Sequence, residues 1–169
     1  YKDSKDKKLV RPYTIRNFRE KELEIDIDFA IHESSTGIAS KWASRASPGD
    51  EIIVTGPGAK TMLKDDADWF FFIGDMSSLP AISANLEEMD HKSRGIIVIE
   101  ILSDEDKVKI IKPNNFKLVW VVNKELRDSN KLYNKVLSLK WLIGTPYVWV
   151  ACEFNVMRKF RQFFQIEKK

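Results

Sequence analysis

Three stretches of this sequence carry residue types suited to holding a phosphorylated, aromatic cofactor. The first is Arg11-Pro12-Tyr13-Thr14-Ile15-Arg16. A guanidinium pairs with phosphate in two parallel hydrogen bonds, an aromatic ring stacks on a flavin, and a hydroxyl can bond the redox edge of that flavin. On a strand, Arg11 and Tyr13 share one face and Thr14 takes the other. The same residues also suit plain sheet surface. The second stretch, Thr36-Gly37-Ile38-Ala39-Ser40, stands where a loop feeds a helix. Free N–H groups there, with Gly37 allowing close approach and the Ser40 hydroxyl nearby, suit a pyrophosphate, and simple N-capping would look alike. The third is Ile73-Gly74-Asp75-Met76-Ser77-Ser78-Leu79-Pro80-Ala81-Ile82. It is a small-residue turn between an apolar strand and a helix, the place where dinucleotides bind in open α/β sheets. It lacks the Gly-x-Gly-x-x-Gly spacing, so a structural turn is an equal reading.

Other reactive residues are few. Cys152 has no His near it in sequence and reads as a small buried hydrophobe rather than a nucleophile. His32 closes a strand and His91 lies in a polar loop. Neither has Cys or carboxylates at ligand spacing, so no metal site and no catalytic acid, base or nucleophile is expected.

The elements that must position these stretches follow from periodicity. Strands are expected over 9–16 and 23–31, joined by a hairpin turn at 17–22, with a loop at 33–37, a helix over 38–46 and a strand over 51–55. A domain boundary is expected within 59–68, giving domains 1–62 and 63–169. Beyond it the rhythm becomes strand 69–73, helix 79–89, strand 95–102, strand 116–122, helix 130–141, strand 147–151 and helix 153–165. Apolar strands alternating with helices imply a doubly wound parallel sheet covered on both faces.

Composition excludes several classes. With 43% hydrophobic and 31% charged residues, the 169-residue chain has the make-up of a folded globular protein, not a disordered one. Its longest apolar runs fall far short of the roughly 20 residues a membrane-spanning helix needs. A net charge of +3 does not argue for nucleic acid. Basic residues do cluster, eight against three acids in residues 1–21 and five against one in 158–169, as solvated surface or as an anion-attracting face. A single cysteine and no cleavable signal pattern point to a reducing compartment, the cytoplasm.

Taken together and in order, the motifs resemble the siderophore-interacting protein family of flavin reductases, in the ferredoxin-reductase-like superfamily. The matching segments are Arg11 to Arg16, Asp28-Phe29-Ala30-Ile31-His32, Gly37-Ile38-Ala39-Ser40-Lys41-Trp42-Ala43, Gly74 to Ile82, and Trp149-Val150-Ala151-Cys152-Glu153. The resemblance implies an antiparallel FAD-binding β-barrel, here without its leading strands, followed by an NAD(P)-binding α/β domain without its C-terminal segment. It implies FAD on Arg11, Tyr13 and Thr14, with Asp28, Phe29, Ile31, His32, Gly37, Ile38, Ala39 and Ser40 along its ribityl and pyrophosphate. NADPH or NADH would border Gly74, Asp75, Ser77, Ser78, Leu79, Cys152 and Glu153, Cys152 standing where the family often has Gly. The activity implied is hydride transfer from NAD(P)H to FAD, then single-electron reduction of a ferric siderophore. A flavin reductase with another acceptor and a non-catalytic binding module are the alternatives.

Overall fold

The computed structural model describes residues 10–31, 37–58, 66–124 and 130–167, with side chains to residue 165. The chain divides into two compact units, Tyr1–Met62 and Leu63–Lys169.

In the first unit a short antiparallel hairpin pairs β1 (Asn17–Arg19) with β2 (Glu24–Asp26). The sequence places strands over 9–16 and 23–31 with the turn at 17–22, whereas residues 10–16 run without a strand, the second strand is confined to Glu24–Asp26 and the turn falls at 20–23. Side chains explain the shift. Arg19 grips Asp26 through two hydrogen bonds of 2.7 and 2.6 Å and reaches Glu24 at 3.0 Å, while the Asn17 amide donates to Asp26 at 2.9 Å. Those bonds fix the register, and Leu23 takes a positive φ of 55° to close the turn. The Arg19 guanidinium, then Asn17, holds the Asp26 carboxyl well below the usual carboxylate range. α1 (Ile38–Ala43) is shorter than the helix expected over 38–46. The strand expected over 51–55 is absent, and those residues are exposed.

The second unit is a four-stranded parallel sheet: β3 (Trp69–Asp75), β4 (Arg94–Ile101), β5 (Asn115–Val122) and β6 (Pro146–Ala151), in spatial order β5-β4-β3-β6. Its helices are α2 (Leu79–Glu88), α3 (Lys131–Leu137) and α4 (Phe154–Gln162), the last running on into a π-helical turn over Phe163–Glu167. Both faces of the sheet are apolar, and each is covered by helix. Trp69, Phe71, Ile73, Ile96, Val98 and Val121 pack with Leu132, Val136, Val156 and Phe160 of α3 and α4. Phe72, Ile97, Ile99, Ile101 and Phe116 pack with Ile82 and Leu86 of α2. This period of two within each strand places Asp75, Glu100, Asn123 and Cys152 on the α3/α4 side, just beyond the apolar rows.

At the amino ends of the strands, a clamp joins β3 to the loop before β6. Asp68 exchanges hydrogen bonds with Thr145, Arg94 donates to the Asp68 and Ile143 carbonyls at 3.0 and 2.9 Å, and the Trp69 indole donates to Gly144 at 3.1 Å. Gly144 has φ +102°, and a Cβ there would stand 2.5 Å from the Asp68 side chain.

Candidate functional site

The strand order creates the site. From β3 the chain moves outward through β4 to β5, then crosses back over α3 to lay β6 against the other side of β3. Successive helices therefore leave the ends of β3 and β6 on opposite faces, opening a crevice at their carboxyl ends, where ligands bind in open α/β sheets.

Register brings the expected residues of this unit together: Gly74 pairs with Ala151, so Asp75 lies beside Cys152 and Glu153. Gly74 has a specific reason to lack a side chain. A Cβ would meet the Ser78 Oγ at 1.9 Å, Ile82 at 2.9 Å and the Ala151 carbonyl at 3.1 Å. The absence of that carbon lets α2 start against the end of β3. The turn itself is tied by Asp75, whose carboxylate accepts from the Ser77 N–H at 2.9 Å and hydroxyl at 2.6 Å, while the Ser78 hydroxyl donates to the Asp75 carbonyl at 2.7 Å. Leu79 opens α2, Pro80 follows it, and the N-cap Ser78 makes no side-chain bond to that helix.

Glu153 stands at the start of α4. Its carboxylate caps α4, accepting from the N–H groups of Asn155 at 2.8 Å and Val156 at 3.3 Å. A carboxylate thus satisfies the first free N–H groups at α4, as Asp75 does at the β3–α2 turn. Cys152 packs as a half-buried hydrophobe against the core. Burial, followed by the nearby Asp75, Glu100 and Glu153 carboxylates, pushes its thiol up to about 12. At neutral pH it is a thiol, not a thiolate nucleophile.

Two polar residues absent from the motif reading complete the rim. Glu100 on β4 is the register partner of Asp75 on β3, and buried Asn123, 2% exposed, donates its amide to the Glu100 carboxylate at 2.9 Å. Their signal in the sequence was the first polar residue interrupting or ending an apolar strand. Two concavities, of about 250 and 410 Å³, lie at the opposite end of the sheet among Asp66, Thr145 and Tyr147 and among Asp68, Asp90 and Arg94. Both are open hollows, and neither touches the crevice residues.

In the first unit the Tyr13 and Phe29 rings lie 4.6 Å apart, with Trp42 at 6.0 Å from Phe29. Tyr13 is 42% exposed. Thr14 is half-buried, and Arg11 is exposed with its guanidinium on the Val10 carbonyl at 2.8 Å. Because residues 10–15 form no strand, alternation of faces does not govern Arg11, Tyr13 and Thr14. Asp28 and Ile31 are exposed, and His32 lies outside the described residues. Gly37 is the N-cap of α1, Ile38 and Ala39 are half-buried, and buried Ser40 donates its hydroxyl back to the Gly37 carbonyl at 3.3 Å. Among the described residues no group of His, Cys, Asp and Glu could hold a metal ion, and no helix is long and apolar enough to cross a membrane.

Comparison with known proteins agrees with this architecture. Vibrio cholerae ferric vibriobactin reductase ViuB is 38% identical over 125 residues, covering 74% of this chain and 44% of that protein. The Escherichia coli NADPH-dependent ferric-chelate reductase is 24% identical over 148 residues, covering 86% and 56%. The crystal structure of the siderophore-interacting protein SipS from Aeromonas hydrophila superposes with a TM-score of 0.84 at 32% identity, over 96% of this chain and 64% of that one. The chain thus spans about half the length of these curated relatives. A siderophore-interacting FAD-binding domain matches residues 1–61, and the siderophore-interacting protein family matches residues 67–169. With its antiparallel hairpin and parallel α/β sheet in a ferredoxin-reductase-like fold, the chain belongs to the siderophore-interacting protein family.

Proposed function

We propose that this protein is an NAD(P)H-dependent ferric-siderophore reductase of the cytoplasm, residues 1–62 contributing to the FAD site and 63–169 holding the nicotinamide dinucleotide. The observation that carries the reading is the crevice between β3 and β6, where Gly74 removes the one side chain that would close the turn. The relatives named as ferric reductases and the FAD-binding family match support it.

The residues present suit both ligands. The partly exposed Tyr13 ring, packed near Phe29, offers a stacking surface, with Arg11 as a cation for phosphate and Thr14 as a hydroxyl nearby in sequence. Asp28 to His32 and Gly37 to Ser40 are assigned to the ribityl and pyrophosphate. FAD held there would supply acceptance of a hydride and release of single electrons to Fe(III), chemistry that would need no protein acid, base or nucleophile. The β3–α2 turn receives the pyrophosphate, with the Gly74 backbone open to close approach and the Ser77 hydroxyl at the rim. Asp75 acts on the turn itself. Cys152, a neutral thiol, shapes the floor at the end of β6.

An anaerobic absorbance titration of the full-length protein tests the reading. A flavin spectrum bleached by NADH or NADPH, then restored by a ferric siderophore with Fe(II) captured by a chelating dye, is the expected result. A protein without flavin, or with flavin that neither nucleotide bleaches, is a binding module. Bleaching that a ferric chelate does not reverse, while free flavin or quinone does, assigns a different acceptor.

A further inference from the structure

We infer that the Phe29 side chain is a positioning residue for the flavin: a one-residue slip in the hairpin brings Tyr13 onto it, and the Phe29 ring then sets the tilt at which Tyr13 meets the flavin. This rests on the reading above that Tyr13 offers the stacking surface of the first unit.

One hydrogen bond marks the slip. β1 and β2 pair Asn17 with Asp26, Phe18 with Ile25 and Arg19 with Glu24. The Arg16 N–H nevertheless donates to the Asp26 carbonyl at 2.8 Å. Arg16 and Asn17 thus both answer to Asp26, two residues against one, which is the count of a β-bulge. A bulge bends its strand and re-aims the side chains beyond it.

The extra residue decides which side chains can meet. Carried outward in the hairpin's own register, Thr14 would stand opposite Phe29, and Tyr13 opposite Ala30. Tyr13 and Phe29 would then point to opposite faces, because neighbouring positions alternate. One inserted residue moves every later partner by one, and Tyr13 falls opposite Phe29 on the same side. The two rings do meet, with centroids 4.6 Å apart and planes inclined at 44°. Residues 10–16 belong to no strand, and Pro12 has no N–H with which a ladder could resume. Ring packing, not a strand ladder, therefore orients Tyr13.

Exposure separates the roles of the rings. Tyr13 is 42% exposed, whereas Phe29 and Trp42 are half-buried. Phe29 also packs near Trp42 of α1, with centroids 6.0 Å apart and planes at 50°, so it is held by a second element while it supports Tyr13. Aromatic pairs prefer offset and tilted arrangements, which gives the Tyr13 ring a preferred inclination before any ligand arrives. The Phe29 side chain acts through Tyr13 and needs no contact of its own with the cofactor.

FAD binding to the full-length protein, stripped of flavin and titrated with it, tests the pair as a cycle of Tyr13→Leu, Phe29→Leu and the double variant. Phe29→Leu is expected to raise the FAD Kd about three- to tenfold, the range of an aromatic pair, and less than about twofold further in the Tyr13→Leu background. The visible circular dichroism of the bound flavin, which reports how its ring is held, should change in Phe29→Leu and return in Phe29→Tyr, where an aromatic ring is kept. Equal losses in both backgrounds, or an unaltered flavin dichroism in Phe29→Leu, overturn the positioning role. If Phe29→Leu does not fold, Phe29→Met fills similar space without a ring and completes the cycle on the same criteria. A wild-type protein that binds FAD while the losses add removes the role of Phe29 alone. A wild-type protein that takes up no FAD removes the flavin reading as well.

Discussion

At the scale of single residues, Cys152 shows how position can suggest chemistry that environment denies. It lies one residue past the end of β6, beside the crevice, yet burial and three carboxylates hold it protonated up to about pH 12. Its reaction with iodoacetamide at pH 8 is expected to be at least about a hundredfold slower than that of a free thiol, because the thiolate is the reacting species. As the only cysteine, it makes the measurement unambiguous by mass spectrometry. A rate near that of free cysteine would make it a reactive group after all. The sign of the pH effect follows from the raised value. The unfolded thiol ionises near pH 8.5 and the folded one near 12, so its contribution to stability is complete below the first and lost as pH rises toward the second.

At the scale of elements, the tight start of α2 against β3 depends on one missing carbon. Gly74→Ala places a Cβ 1.9 Å from the Ser78 Oγ, 2.9 Å from Ile82 and 3.1 Å from the Ala151 carbonyl, and the two side chains can shift while the carbonyl, held in the sheet, cannot. An overpacking cost of about 1–3 kcal/mol is expected, visible as a lowered midpoint in urea unfolding, together with a closed crevice. A midpoint unchanged within error would mean that the helix start yields freely. The elements of the second unit were legible in sequence because apolar runs such as Trp69 to Ile73 and Ile96 to Ile99 are buried on both faces, so periodicity and structure coincide. The first unit was less legible. Its hairpin register is set by Arg19, Asn17 and Asp26 reaching across strands, a long-range arrangement that alternation along one strand cannot reveal. For the same reason the motif reading did not include Asn123, whose side-chain bond to Glu100 joins two strands that lie apart in sequence.

At the scale of the whole molecule, charge is the relevant quantity. The chain is mildly basic, and α4 carries Arg158, Lys159 and Arg161 on one short helix. Lys159 is engaged by the Asn130 side chain at 2.6 Å, while Arg158 lies over the Phe154 ring at 6.0 Å and is exposed to solvent. If this face steers an anionic ferric chelate, the second-order rate of the oxidative half-reaction falls as ionic strength rises, and Arg158→Glu reproduces the fall at low salt. A neutral chelate should show neither effect. A rate flat with salt for an anionic chelate returns α4 to ordinary solvated surface.

The order in which the sheet is assembled bears on biosynthesis. As the chain leaves the ribosome, β3, β4 and β5 emerge in sequence and each pairs with its immediate predecessor. The fourth strand is different: β6 must return past two finished strands to dock on β3, the first made. The proposed nucleotide crevice is bounded by the earliest and the latest strands of this unit, so a nascent chain halted before residue 146 owns most of its core and lacks one wall of that crevice.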